Sequence, residues 1–427
     1  QLHPDREAHR MLRRLQLVLI AAVLLVAAFS TGLGFLFYLV YLAIIVVGGS
    51  YVLTRLGLSD LEAGYAVSQL SGHVGDKIRV TYTLRNTSRV PKPWLEVHNP
   101  TTLPGGLPGR AIPLGPRAER SWLVRVPLVR RGHFRVEPLQ IRTGDPFGFF
   151  EASAAVGQGV AVVVYPRVEP LPMWRLPAAN VEGSHASPER TLQTTPLATT
   201  VRPWAPGDSF NRIHWRATAR HGEIQVKEFE LEQTADAWLF LDLDRSVQAG
   251  RGDESTVEVA VRAAASIADK AILENRAVGL TVNAHRLGLL PADRGSRQHL
   301  KMMQLLAAVD GDGTTPLVET LVSTAGRLRR GMTAIVISAS TDPTWIRPIA
   351  ALRGRGIATV VVSIDAAAFE RVDRAERERT GEVLPSTDIV AEEQRAQRAR
   401  ALRHALSEYE LKVHTVLPGQ ALGEALA

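Results

Sequence analysis

Ala237-Trp238-Leu239-Phe240-Leu241-Asp242-Leu243-Asp244-Arg245-Ser246 decides how the larger part of this chain folds. An unbroken apolar run reaches Asp242 and then gives way to Asp-x-Asp-x-Ser. Such a run is the signature of a strand buried on both faces, as in a parallel sheet covered by helices. The segments downstream agree. Thr256 to Leu273 sets Val257, Ala260, Val261, Ala264, Ile267, Ala268 and Ala271 on one helical face. Val278 to Val282 is a second strand. Leu300, Met303 and Leu306 mark a helix, and Leu317, Leu321, Val322, Ala325 and Leu328 another, with Thr315 as its cap and Pro316 at its first position. Thr333 to Ile337 and Ile357 to Val362 are short apolar strands. A charged helix, Ile389 to Tyr409, carries the stripe Ala399, Leu402, Leu406 and Tyr409, and Lys412 to Val416 closes the pattern. The alternation predicts an open, mostly parallel α/β sheet of Rossmann type.

In such sheets ligands gather beyond the carboxyl ends of the strands, at the point where strand order reverses. Asp242, Asp244 and Ser246 follow the first strand and carry only oxygen ligands, which suit a hard cation such as Mg²⁺. The plainer reading is a solvated turn with helix-capping duties. The chain has no Gly-x-x-x-x-Gly-Lys-Ser/Thr loop, no His-Glu-x-x-His and no Gly-x-Ser-x-Gly, so it is not expected to be a P-loop ATPase or an enzyme with one of those motifs.

Upstream, Glu62 to Tyr165 reads as β. Ile78, Val80, Tyr82 and Leu84 alternate with polar residues, as do Trp122, Val124, Val126 and Leu128, and Asp145-Pro146-Phe147-Gly148 is a turn. A small β-sandwich-like domain over 60–166 is predicted, followed by a proline-rich connector over 167–200. The densest motif opens the last region, 201–427. It contains Arg202, Trp204, Gly207 and Asp208, then Ile213, Trp215 and Arg220, then Lys227 and Glu228. Asp208 is expected to cap a turn or pair with an arginine, the tryptophans to pack, and His214 to pack between Ile213 and Trp215. Alternatively the motif is a docking surface, since Trp and Arg dominate the binding energy of interfaces.

The order Arg-x-aromatic-x-x-Gly-Asp, Ile-x-Trp, Ala-Arg and Val-basic-Glu resembles domain-of-unknown-function family fifty-eight. Arg131-Gly132-His133-Phe134 and the Asp145 turn resemble that family's β region. The resemblance implies a membrane-anchored protein with a von Willebrand factor A-like domain, partnered by a MoxR-type AAA+ ATPase in protein assembly, maturation or envelope maintenance. It also implies a cation site at Asp242, Asp244, Ser246 and Thr315. Asp244 stands where the pattern has serine, and Ala339 where it has aspartate, with Asp342 nearby. A degenerate, metal-free site is therefore expected, the alternative being a Mg-dependent hydrolase or a cation-dependent adhesion switch.

The chain's beginning supplies the anchor. Leu15 to Phe29 is broken only by Gln16, Leu33 to Leu53 has no charge, and Ser30-Thr31-Gly32 joins them. Counted from Leu12, the first run makes roughly 28 Å of helix at about 1.5 Å per residue. A transmembrane hairpin within residues 1–58 is predicted. Arg10, Arg13, Arg14 and Arg55 flank it and its loop has no charge, which predicts both ends on the cytoplasmic side of the inner membrane. The absence of cysteine agrees with a reducing compartment. The net charge of +7 is modest for 427 residues and partly membrane-flanking, so no nucleic-acid partner is expected.

Overall fold

The computed structural model describes residues 19–177, 200–206, 208–228, 236–382 and 387–427. The chain divides into two compact units, Gln1–Arg167 and Val168–Ala427.

In the first unit, helices α1 (Leu19–Thr31) and α2 (Gly34–Leu58) form a hairpin. The turn comes a residue later than expected. Thr31 stays helical, its hydroxyl donating to the Ala27 carbonyl at 2.6 Å, and Gly32 takes the left-handed conformation with φ of 69°. Phe29 and Phe37 meet edge to face across the turn, ring centroids 5.4 Å apart. Helix α2 has 25 residues, its most apolar 18-residue stretch has a mean hydropathy of 2.2, and it is long and apolar enough to cross a membrane.

The carboxyl end of α2 is docked on the β region. Ser50, Thr54 and Gly57 are buried on one face of the helix. Gly57 sits so close to Thr143 that a Cβ would lie 2.6 Å from its Cγ2, so only glycine admits this approach. Lys92 is wholly buried, and its ammonium donates to the carbonyls of Leu56 (2.8 Å) and Ser59 (2.7 Å). It thereby joins the Ser59 hydroxyl, which also donates to the Leu56 carbonyl (3.0 Å), in capping carbonyls at the helix end.

The strands that follow are β1 (Leu61–Val67), β2 (Ser71–His73), β3 (Lys77–Asn86), β4 (Lys92–His98), β5 (Arg110–Leu114), β6 (Glu119–Pro127), β7 (Gly132–Val136), β8 (Leu139–Gly144), β9 (Glu151–Val156) and β10 (Val160–Tyr165). They form three sheets ordered β1-β3-β6, β2-β10-β7 and β5-β4-β8-β9. Strict alternation in β3 buries Ile78, Val80, Tyr82 and Leu84, which join Leu95, Ile112, Val126, Leu139, Ile141 and Val162 in one core. After β8 the carboxylate of Asp145 accepts the amides of Phe147 (2.9 Å) and Phe150 (2.6 Å). Burial works to raise this carboxyl, but the amides of Phe150, Phe149 and Phe147 outweigh it and hold the group below the ordinary carboxylate value.

In the second unit, β11 (Thr200–Pro203), α3 (Trp215–His221) and β12 (Gln225–Glu228) form a small hairpin-and-helix element. A six-stranded sheet follows, built from β13 (Ala237–Leu241), β14 (Val278–Asn283), β15 (Leu287–Asp293), β16 (Thr333–Ser338), β17 (Ala358–Ile364) and β18 (Lys412–Val416). Its order is β15-β14-β13-β16-β17-β18, parallel throughout except for the antiparallel edge strand β15. Helices α4 (Thr256–Leu273), α5 (Gly295–Ala308), α6 (Leu317–Thr324), α7 (Ile346–Gly354), α8 (Ala366–Arg379), α9 (Thr387–Glu408) and α10 (Leu422–Ala425) accompany it. Trp238 and Phe240 of β13 pack with Leu321, Ile349, Leu352 and Leu406 in one core, while α4 lies against β13, β14, β16 and β17.

Two expectations need correction here. The proline-rich segment is not a free connector over 168–177. Leu171, Trp174 and Leu176 are buried, and Glu169 pairs with Arg262 (3.2 Å) and accepts the Leu422 amide (3.0 Å). Residues 178–199 of that segment lie outside the described residues. Leu300, Met303 and Leu306 fall in α5 as expected, which buries Gln298, Met302, Met303, Leu306 and Ala307 and leaves Leu300 47% exposed. Thr315 does not cap α6. Pro316 holds that position with ψ of 147°, and its carbonyl accepts the first helical amides.

Candidate functional site

The carboxyl end of β13 is the first place where chemistry gathers. Asp242 continues the ladder through its amide, which donates to the Ile337 carbonyl at 2.9 Å. Its side chain, 1% exposed, turns inward. Oδ1 accepts from Asn283 Nδ2 at 2.7 Å and from the Asp244 amide at 3.2 Å, and Oδ2 accepts from Ser338 Oγ at 2.5 Å. Asn283 ends β14 and Ser338 ends β16, so three adjacent parallel strands each supply one member. Asn283 also donates to the Thr315 carbonyl (3.0 Å), and its own oxygen accepts the Leu243 amide (2.5 Å). Gly313 closes the arrangement. It exchanges backbone hydrogen bonds of 3.0 Å with Leu243 and Arg245, and a Cβ there would run into the Asn283 carbonyl.

Burial pushes the Asp242 carboxyl above its ordinary 3.8, opposed by hydrogen bonds from Ser338, Asn283 and the Asp244 amide. The remaining sequence candidates point elsewhere. Asp244 Oδ1 accepts both the amide and the hydroxyl of Ser246 at 2.9 Å, a local turn. Thr315 contributes its carbonyl to Asn283. Asp342 caps a short helix at Pro343–Trp345, accepting from the Thr344 amide (3.0 Å) and hydroxyl (2.7 Å).

These residues do not fit a Mg²⁺ ion. N–H and O–H donors occupy both oxygens of Asp242, and the oxygens of Asp244 and Ser246 turn toward each other rather than toward a shared point. A hard cation needs several convergent oxygen lone pairs. Among the described residues no group of three or more His, Cys, Asp or Glu is placed to hold a metal. Asn283 was absent from the sequence reading. Its signal was a polar residue closing an otherwise apolar strand, level with Asp242 across the sheet.

The second place is the motif around Arg202. Strands β11 and β12 pair antiparallel with Arg202 opposite Val226. The Asp208 carboxylate grips the Arg202 guanidinium through two parallel bonds of 2.7 and 2.8 Å and accepts the Ala205 amide at 2.9 Å. It fulfils both expected roles, turn and ion pair, and the fork geometry fixes the loop. Ile213, Ala217 and Val226 form the buried side of the element. His214 is a helix cap rather than packing: its Nδ1 accepts the Ala217 amide at 3.0 Å. Thr218, unnoticed in the sequence, ties α3 to β12 by accepting the Gln225 amide at 3.0 Å. The tryptophans part ways. Trp204 is half-buried beside Phe210, ring centroids 6.3 Å apart, whereas Trp215 is 70% and Phe210 72% exposed. Arg216 and Arg220 are exposed on the same helix. Lys227 and Glu228 lie in the backbone of β12, and Gly207 is outside the described residues.

An open α/β sheet preceded by this arginine–aspartate hairpin defines the class. Residues 200–370 match the family model described as protein of unknown function DUF58. Uncharacterized protein YeaD of Bacillus subtilis is 26% identical over 311 residues, covering 70% of this chain and 75% of that protein. Uncharacterized protein Rv1480 of Mycobacterium tuberculosis is 31% identical over 167 residues, 36% of this chain. The chain spans 50% of that mycobacterial protein's length. The CARDB domain of the PF1109 protein of Pyrococcus furiosus aligns with 25% of this chain and 87% of its own at 14% identity, with a TM-score of 0.19.

Proposed function

We propose that the protein is a membrane-anchored, non-catalytic docking protein that presents the Arg202–Trp215 element to a MoxR-type AAA+ ATPase or its client. One observation carries this reading. Trp215 and Phe210 are more than two-thirds exposed on an element whose shape is locked by the Arg202–Asp208 fork and the His214 cap. Large exposed aromatics flanked by arginines are the composition of interface hot spots, and a rigid frame lowers the ordering cost of binding. The strand order, with one antiparallel edge, supports the von Willebrand A-like reading of the sheet. The hydrogen-bonded closure at Asp242 favours a binding module over a Mg-dependent hydrolase. Helix α2, together with the flanking arginines, supports a two-pass anchor in the inner membrane with the remaining chain cytoplasmic.

Capture of a MoxR-type ATPase by the full chain in detergent tests the proposal. Trp215→Ala is expected to weaken capture at least tenfold, about 1.4 kcal/mol or more as hot-spot truncations go, while leaving the melting temperature unchanged. Equal capture by wild type and Trp215→Ala, or none by wild type with and without nucleotide, would sink the reading. Calorimetry with Mg²⁺ and Mn²⁺ is expected to give no heat in the millimolar range. Saturable heat abolished by Asp242→Ala would instead restore the cation-dependent alternative.

A further inference from the structure

We infer that the aromatic turn after β8, residues 145–150, is a second membrane contact whose phenyl rings rest in the headgroup region beside α2. The inference rests on the reading of α2 as a membrane span. Four observations carry it.

Position comes first. The Phe150 ring packs edge to face on Tyr51 of α2, centroids 5.6 Å apart. Tyr51 lies seven residues before Leu58, so the turn reaches about 10 Å back along the helix at about 1.5 Å per residue, toward its apolar part.

The level of that contact is marked chemically. Arg55 is the basic residue in the last turn of α2, and its guanidinium stands over the Tyr51 ring at 5.9 Å. An arginine and a tyrosine at one level of an apolar helix are the usual occupants of the membrane–water boundary.

Exposure is the third observation. Phe147 is 59% exposed and stacks on Phe149 with centroids 5.5 Å apart. Trp94, 41% exposed, flanks the root of the turn beside Gly144. Among the described residues of the β region, the exposed large aromatic side chains, Trp94 and Phe147, both lie here, and this cluster adjoins the apolar helix. That continuity selects lipid as the occupant.

Rigidity is the fourth. The Asp145 carboxylate holds the Phe147 and Phe150 amides, and Gly148 supplies the left-handed residue the turn needs, with φ of 73°. The rings are thus displayed on a fixed support. With the Lys92 cap and the Gly57–Thr143 contact, the β domain holds the bilayer at two places instead of hanging from a single helix.

The chain has no cysteine, so single cysteines report cleanly. Spin labels are placed at Phe147→Cys, at Tyr41→Cys in α2 and at Lys301→Cys on α5. The full chain is then reconstituted in vesicles of equal parts phosphatidylcholine and phosphatidylglycerol. The ratio of oxygen to nickel-chelate accessibility at position 147 is expected to be several-fold above that at 301 and below that at 41. A ratio at 147 equal to that at 301, with 41 lipid-exposed, overturns the inference and leaves the membrane anchor standing. A ratio at 41 equal to that at 301 overturns both. Phe147→Trp, which keeps an aromatic ring in the turn, gives a second readout. Its added emission is expected to be quenched by brominated lipid, and unquenched emission counts against the inference.

Discussion

Asp242→Ala is expected to destabilise the α/β unit by about 3 kcal/mol, in the range for breaking a buried hydrogen-bonded network, whereas Asp242→Asn costs about 1 kcal/mol or less. The carboxylate accepts three donors, from Asn283, Ser338 and the Asp244 amide, in a site it shares with no solvent. Alanine strands those donors at the ends of β14 and β16. Asparagine keeps an oxygen for Asn283 and Asp244, and its amide donates to the Ser338 hydroxyl, which can accept as readily as donate. Hydrogen exchange at the β13 and β16 amides of the full chain in detergent measures both. If alanine and asparagine cost the same, or neither does anything, the network is not what holds these strand ends.

The pH dependence follows from the direction of the shift. Burial raises the Asp242 carboxyl above 3.8 in the folded state. The folded chain therefore binds this proton more tightly than the unfolded chain. The stability it contributes is complete below pH 3.8 and is lost as the pH rises through the folded value. Comparing wild type with Asp242→Asn isolates the effect, since the amide does not titrate. On acidification from neutrality wild type gains stability that the variant does not, so its lead over Asp242→Asn should widen, and a lead that shrinks would contradict the assignment.

Lys92→Met is expected to loosen the junction between α2 and the β domain by about 1–3 kcal/mol, because the Ser59 carbonyl loses the ammonium donor and the Leu56 carbonyl keeps only the Ser59 hydroxyl. Methionine retains much of the length and apolar volume of lysine, so the effect reports the hydrogen bonds rather than packing. Faster hydrogen exchange over residues 55–62, with exchange in β3 and β6 unchanged, is the expected pattern. Unaltered exchange at the junction would mean that the Gly57–Thr143 contact suffices alone. Burial also depresses the Lys92 pKa below 10.5, Asp60 opposing. The cost of the buried charge is thus relieved as pH rises through the folded value. The neutral amine still has two N–H bonds for the two carbonyls. The junction should therefore tighten in mild alkali, where an ion pair would weaken.

Much of the second unit was legible because burial on both faces writes long apolar runs. The helix at Thr256–Leu273 and the closing strand at Lys412–Val416 fall where their patterns put them, and the central strand falls within two residues of its pattern. The edge strand β15 and helices α7 and α8 were missed. β15 is partly exposed and so lacks a clean apolar run, and α8 is charged on most of its surface. The Asp208 site was readable because its partners are near in sequence: Arg202 and Ala205 lie six and three residues away. The Asp242 site was half readable. Its aspartate sits in a recognisable pattern, but Asn283 and Ser338 lie 41 and 96 residues away, and nothing local to either points to Asp242 as its partner.

By itself, then, the sequence determined what depends on local periodicity and short spacing. That includes the apolar hairpin, the alternating β strands, the α/β alternation and the arginine–aspartate turn. Tertiary structure alone decided what depends on groups brought together from distant strands. It put amide and hydroxyl donors on the Asp242 oxygens, where the Asp-x-Asp-x-Ser pattern suggested a cation. It buried a lysine under the end of α2 and set an aromatic turn against Tyr51. The physical reason is common to all three. A hydrogen bond or ring contact is decided within a few ångströms, and only the folded backbone brings such partners within that range.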